Sequence, residues 1–246
     1  MTPPLYFKPV REKVKKLHAV YTMLGKYHRH KVVGSENIIK EGRSLLVFNH
    51  SLATYDMSIM IAKVRHITGR VVMGLGDDLW FRLPLIGQFL AETGTVRACP
   101  VTAEELLNKD EILLVAPGGM REALKPSSEA NLLHWDKRKG FVRLAITTQT
   151  PITLVACPEA DDIYTVYENR LTKLIYKRMR LPLMLVRGFG FSLIPRPVKL
   201  THYISEAQYP PQVDIKDERA FSKAVDQWHV ELTAEMNRML VEHRKK

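Results

Sequence analysis

The sequence predicts an α/β fold built on a mostly parallel central sheet flanked by helices. Three observations carry that prediction. From Ser44 to about Ile204 short apolar runs alternate with helical patterns. The run Leu45 to Phe48 is continuously apolar, as in a strand buried on both faces. The chain has 246 residues, 46% of them hydrophobic, and no long low-complexity linker, which suits one sizeable core with helical appendages.

Taken in order, residues 1–32 read as a basic amphipathic helix. Val10, Val14, Leu17, Tyr21 and Leu24 recur at helical spacing among Lys8, Arg11, Lys13, Lys15, Lys16, Lys26, Arg29 and Lys31. Such a helix suits an anionic lipid surface, and a helix packed on the domain shows the same stripe. The main domain spans residues 33–210. Its strands are expected at Leu45 to Phe48, Val71 to Met73, Ile112 to Val115, Ile152 to Ala156 and Val198 to Ile204. Its helices are expected over Met57 to His66, Asp78 to Glu92, Ala103 to Asn108 and Lys139 to Thr148. Residues 211–246 form a C-terminal helix packed on the domain, with Phe221, Val225, Trp228, Leu232, Met236 and Met239 at helical spacing.

The formal net charge of +11 attracts a polyanion: nucleic acid, an anionic membrane surface or a phosphorylated substrate. No basic and aromatic interleaving of a nucleic-acid reader accompanies it, so no nucleic-acid partner is expected. Cys99 and Cys157 have no paired spacing, which points to a reduced, cytoplasmic setting and to no metal site. No start resembles a signal peptide, and the longest apolar stretch, Leu181 to Pro195, is interrupted by Arg187 and two glycines. A protein peripheral to the membrane, without a transmembrane segment, is the expectation.

Val47 to Ile61 places the chemistry. His50 and Asp56 are six positions apart, about 600° on a regular helix at ~100° per residue, so they do not share a helical face. His50 therefore belongs to the loop after a strand, and Asp56 reads as the N-cap of the next helix. A carboxylate folded against an imidazole holds one nitrogen as donor and leaves the other to accept a proton, which makes a general base. These residues alone fit a buried histidine and a plain cap as well. His28 and His30 read as surface residues, and His134 as a secondary site candidate.

After the strand at Ile112, the Ala116 to Gly119 turn exposes main-chain donors without side-chain obstruction, and Arg121 and Glu122 follow. Gly118, Gly119, Arg121 and Glu122 are candidates for an oxyanion, a phosphate or an acceptor. Trp80, Phe81 and Phe89, with Leu83, Leu85 and Ile86, suit an acyl channel or a membrane contact; core packing is the commoner reason for such spacing. Lys137, Arg138 and Lys139 beside Trp135 form a basic run suited to CoA phosphates or lipid headgroups.

Together these motifs resemble the glycerolipid acyltransferases of the PlsC-like superfamily, in the monoacylglycerol and diacylglycerol acyltransferase-like branch. The resemblance runs from Val33 to Pro210. It rests on NHS with the aspartate (His50, Asp56), GDDLWFRLPLIGQFLAETGTV from Gly76, APGGMREAL from Ala116, HWDKRKGFVRLAI from His134 and PITLV from Pro151. It implies a dyad in which Asp56 orients His50, and His50 takes the proton of an acceptor hydroxyl that attacks the thioester of acyl-CoA or acyl carrier protein. No cofactor is implied beyond that co-substrate. The absence of a G-x-S-x-G elbow agrees with direct transfer.

Three departures bear on the acceptor. Five residues, Ser51 to Tyr55, separate histidine from aspartate where the commonest motif has four. Gly118 stands where the lysophosphatidate-type motif carries an acid, and Arg97 lies only three residues beyond Gly94. A weakened phosphate clamp favours a neutral acceptor, an acylglycerol or long-chain alcohol. The alternatives are a lysophospholipid acceptor, which the positive charge supports, and a non-catalytic lipid-binding module of the same fold.

Overall fold

The computed structural model describes residues 17, 19–82, 84–167 and 185–244. The basic stripe before residue 17 and the first part of the Leu181 to Pro195 run lie outside the described residues. A first helix, α1, covers residues 19–27. The strands are β1 (Lys31–Val33), β2 (Ser44–Phe48), β3 (Val72–Gly76), β4 (Thr95–Arg97), β5 (Ile112–Val115), β6 (Ile152–Ala156), β7 (Thr165–Tyr167), β8 (Leu185–Arg187) and β9 (Thr201–Ile204). The remaining helices are α2 (Tyr55–Thr68), α3 (Asp78–Phe81), α4 (Pro84–Glu92), α5 (Pro100–Leu107), α6 (Gly119–Ala123), α7 (Gly140–Thr148) and α8 (Glu218–His243).

Seven strands form one sheet in the order β1-β9-β6-β2-β5-β3-β4, and β7 pairs with β8 in a separate ribbon. β2 is central, parallel to both β5 and β6. β3 and β4 continue the parallel set. β9 runs antiparallel to β6, and β1 follows β9 in parallel. The sheet is therefore mostly parallel, as expected, with two reversed strands at one side.

Alternation along each strand sorts the core onto two faces. Leu45, Val47, Leu113, Ile152 and Leu154 join a cluster closed by α5, α7, Trp135 and α8. Leu46, Phe48, Ile112, Leu114 and Val155 join a cluster closed by Met57, Met60 and Val64 of α2. β2 is buried throughout because both faces are covered. The tail helix buries Val225, Trp228, Leu232, Met236 and Met239, the spacing seen in the sequence, and Asp217 caps it by accepting from the N–H groups of Arg219 and Ala220.

Some expectations are corrected. The segment Asp78 to Glu92 is two helices, with Pro84 at the start of the second, because proline suits a first helical turn and breaks an interior one. Asp56 is the second residue of α2 and no cap; Thr54 holds the cap position in a left-handed conformation. His28 is fully buried and His30 only partly exposed, because α1 leads directly into β1 and both histidines turn toward the end of the sheet. On α4, Leu85, Ile86 and Phe89 are 84%, 40% and 52% exposed, so core packing does not account for them.

Candidate active site

The carboxyl end of β2 delivers Asn49, His50 and Ser51 to the edge of the sheet where ligands of open α/β folds bind. Asn49 ties this end to the neighbouring strand: its Oδ1 accepts from the Cys157 N–H at 2.9 Å. The main-chain N–H of His50 donates to Glu122 Oε1 at 2.6 Å, and its carbonyl accepts from Lys125 Nζ at 2.8 Å. Lys125 is buried and paired with Asp161 at 2.9 Å. The other Glu122 oxygen accepts from the His134 N–H at 2.9 Å. One buried carboxylate thus fastens the His50 loop to the segment beginning at His134.

The His50 ring is buried, and its Nδ1 lies 2.9 Å from the Ser51 carbonyl. A carbonyl only accepts, so Nδ1 carries the hydrogen and Nε2 keeps its lone pair. Burial lowers the pKa of His50 below the usual imidazole value, opposed by the Ser51 carbonyl and the charge of Asp56. The neutral form, the one able to take a proton, is therefore favoured.

Asp56 is fully buried. Its Oδ1 accepts from the Ser51 hydroxyl, and its Oδ2 lies 3.3 Å from Nε2 of His202. Among the described residues, its link to His50 runs through Ser51, which gives its hydroxyl to Asp56 and its carbonyl to the ring. Burial pushes the Asp56 carboxyl up, and the contacts with His202 and Ser51 outweigh it, leaving the pKa below the usual range. Asp56 is held as a carboxylate.

The Pro117 to Gly119 turn follows β5 at the same edge. Gly118 lies so close to Glu122 that a β-carbon there would overlap its side chain. Gly119 has a φ of +51°, and its N–H donates to the Ala116 carbonyl at 3.0 Å, closing the turn. Both oxygens of Glu122 serve main-chain donors, and burial raises its pKa. Its observed role is bracing. Arg121 is exposed and pairs with Asp136 at 2.6 Å.

β3 also ends at this edge, two strands from β2, which is roughly 10 Å at the usual strand spacing. α3 and α4 follow it. Phe81 packs against Gly76 and beneath the Arg97 guanidinium, Trp80 is half-buried, and Phe89 shares the exposed apolar side of α4 with Leu85 and Ile86. A groove lined by Val33, Asn37, Glu206, Arg238 and His243 lies at the opposite edge and shares no residue with the His50 site.

Asp56, Cys157 and His202 bring one ligand-type atom each within 4.8 Å of one another. Burial raises the Cys157 thiol well above its usual pKa, which disfavours the thiolate a metal would require. The three side chains stand as a carboxylate facing an imidazole beside a neutral thiol.

The Acyltransferase family model matches residues 29–157, just over half of the chain and every residue from His30 to Cys157 discussed above. The chain belongs to the Acyltransferase family. Among curated relatives, a Gallus gallus protein named "DGAT1/2-independent enzyme synthesizing storage lipids" is 30% identical over 200 residues, covering 80% of this chain and 58% of the relative. The Bos taurus protein of the same name is 29% identical over 197 residues, covering 78% of this chain and 56% of the relative. The chain thus spans little more than half the length of these curated relatives. Among solved structures, the 1-acyl-sn-glycerophosphate acyltransferase PlsC from Thermotoga maritima superposes with a TM-score of 0.57 at 17% identity, covering 95% of this chain and 81% of the other. That match establishes the likeness of fold.

Sequence reasoning missed His202 and His30 as site residues. Neither sits in an apolar-to-helix transition, and their partners lie far along the chain. A histidine inside the last predicted strand, Val198 to Ile204, was the one available signal.

Proposed function

We propose that this acyltransferase-family chain transfers a fatty acyl group from acyl-CoA, or acyl carrier protein, to a hydroxyl of an acylglycerol or similar neutral lipid at a membrane surface. The observation that carries the reading is the tautomer of His50: Nδ1–H is held by the Ser51 carbonyl and Nε2 is left as a base, on a ring whose burial favours the neutral form.

The step balances without a covalent enzyme intermediate. The acceptor hydroxyl loses its proton to Nε2 as its oxygen bonds to the thioester carbon. The tetrahedral intermediate collapses with loss of the C–S bond, and the imidazolium returns the proton to the thiolate, giving ester and free thiol. The ionised Asp56 stabilises the imidazolium across Ser51. The oxyanion needs main-chain donors, and the turn at Gly118 and Gly119 offers them at the same sheet edge, on condition that Gly119 releases the Ala116 carbonyl. The thioester supplies the activated acyl group, so this step calls for no cofactor.

A neutral acceptor is supported by Arg121, already paired with Asp136, and by the name of the storage-lipid relatives. Peripheral membrane binding is supported by the exposed apolar side of α4 at the site edge and by the net charge of +11. Among the described residues no helix is long and apolar enough to cross a membrane.

The test is thiol release from a long-chain acyl-CoA by the wild type and by His50→Ala, with liposomes carrying monoacylglycerol, diacylglycerol, lysophosphatidate or a fatty alcohol. Release that depends on a neutral acceptor and falls by about 100-fold or more in the variant is expected. Equal release by His50→Ala overturns the assignment, and release specific to lysophosphatidate moves the acceptor to the phosphorylated class.

A further inference from the structure

Two histidines outside every motif described above close on the Asp56 carboxylate. β9 is antiparallel to β6, so it delivers its first residues to the edge where β2 delivers its last, and β1, parallel to β9, does the same with the residue before it. His202 Nε2 thereby lies 3.3 Å from Asp56 Oδ2, and His30 Nε2 lies 2.8 Å from His202 Nδ1. Asp56 and His202 are both fully buried. Asp56 Oδ2 and His202 Nε2 are buried and make no hydrogen bond of standard geometry among the described residues, so the 3.3 Å ion-pair contact between them is what each has. The array continues from Asp56 Oδ1 to the Ser51 hydroxyl, and from the Ser51 carbonyl to His50 Nδ1.

We propose that His202, held in turn by His30, is a positioning residue for acyl transfer: it keeps Asp56 ionised and oriented, and through Ser51 sets the tautomer of His50. The proposal rests on the reading of His50 as base. A carboxylate only accepts, so His202 Nε2 is the donor in this contact and Nδ1 faces His30. Burial alone drives a carboxyl toward its neutral form, and the contacts with His202 and Ser51 are what hold Asp56 below the usual range; removing the His202 contact moves the carboxyl back up. A neutral Asp56 no longer stabilises the imidazolium on His50. The titratable groups around Asp56 are His28, His30 and His202 from the reversed side of the sheet, His50 from β2, and Cys157 from β6.

The experiment compares wild type, His202→Phe and His202→Gln for kcat, KM and pH profile, with the His50 imidazole titrated by NMR in each. His202→Phe fills the space without a donor; His202→Gln restores an N–H at the Nε2 position. The expectation is a kcat lower by about 10- to 100-fold in His202→Phe with KM little changed, since the acceptor does not touch this residue. Its acid limb moves up by about one unit or more as Asp56 becomes the last group to ionise. The His50 midpoint falls below that of wild type because the nearby negative charge is gone. His202→Gln keeps kcat within about fivefold and the wild-type midpoint.

Wild-type kcat and limb in His202→Phe, or equal losses in folded His202→Phe and His202→Gln, overturn the proposal. Should His202→Phe fail to fold, an acid limb displaced in His202→Gln as well carries the refutation. Should the wild type release no thiol, the reading of the activity fails instead, and the His50 midpoint decides the coupling: unchanged in the variants, it overturns the proposal; lowered in His202→Phe alone, it upholds the coupling.

Discussion

Gly118→Ala separates the bracing role of Glu122 from a merely local view of the turn. Gly118 has φ of −61° and ψ of −23°, a conformation any residue adopts, so backbone preference alone predicts stabilisation of about 0.4–1 kcal/mol through a less flexible unfolded chain. The tertiary structure predicts the opposite sign. A β-carbon at 118 would overlap the Glu122 carboxylate and its Cβ, and the Cβ is no flexible tip that swings away. Displacing that carboxylate strips the His50 and His134 N–H groups of their acceptor, at about 1–3 kcal/mol for each buried donor left unpaired. Set against the entropic gain, the net loss is about 1–6 kcal/mol, a melting point lower by about 2–22 °C at ~2–4 °C per kcal/mol. Because His50 hangs on the same carboxylate, turnover falls by about 100-fold for a shift near 1 Å. Thermal unfolding followed by circular dichroism, with thiol release on the folded variant, is the assay. Gly140→Ala is the control: its β-carbon meets nothing within 4 Å, and its melting point stays within about 2 °C. A Gly118→Ala protein as stable and as active as wild type refutes the reasoning.

Other consequences follow from the same region. His30 is lowered to about 3, by burial first and then by His202; a base whose folded pKa lies below its unfolded 6.5 costs stability as pH falls through that window, because the unfolded chain takes up the proton. Denaturant unfolding at pH 6.5 and 5 then differs by about 2 kcal/mol from this residue alone, and a His30→Asn protein with the same slope contradicts the assignment. Lys125→Met leaves Asp161 buried without its cation and the His50 carbonyl without a donor, a loss of about 3–5 kcal/mol that Asp161→Asn in the same chain partly restores; strictly additive effects in that double-mutant cycle would show the pair uncoupled. Leu85→Asp with Phe89→Asp leaves unfolding within about 1 kcal/mol because both side chains are exposed. Liposome co-sedimentation weakens at least about tenfold if this side of α4 enters the lipid, and unchanged binding removes α4 from the membrane contact.

Much of the fold was legible because its signals are local. The apolar runs at Leu45, Ile112 and Ile152 became β2, β5 and β6, since a strand covered on both faces has few polar positions to interrupt it. The C-terminal stripe became α8 because helical periodicity survives without knowledge of the partner. β1 and β4 were not seen: three half-exposed residues carry no pattern, and only pairing with β9 and β3 makes them strands. Asp56 was expected as a helix cap, a role its residue type suits, but it stands inside α2 as its second residue, with its carboxylate facing His202 and Ser51.

What the sequence by itself determined was the α/β class, the place of His50 after a buried strand and the glycine turn after β5, each written in a few adjacent residues. What only the tertiary structure decided was which groups meet there. Glu122 reaches His50 across 72 positions, and His202 reaches His30 across 172. No local pattern encodes those distances. They follow from the reversal of β9, which turns a histidine at the start of the last strand toward the carboxylate beside the end of the central one.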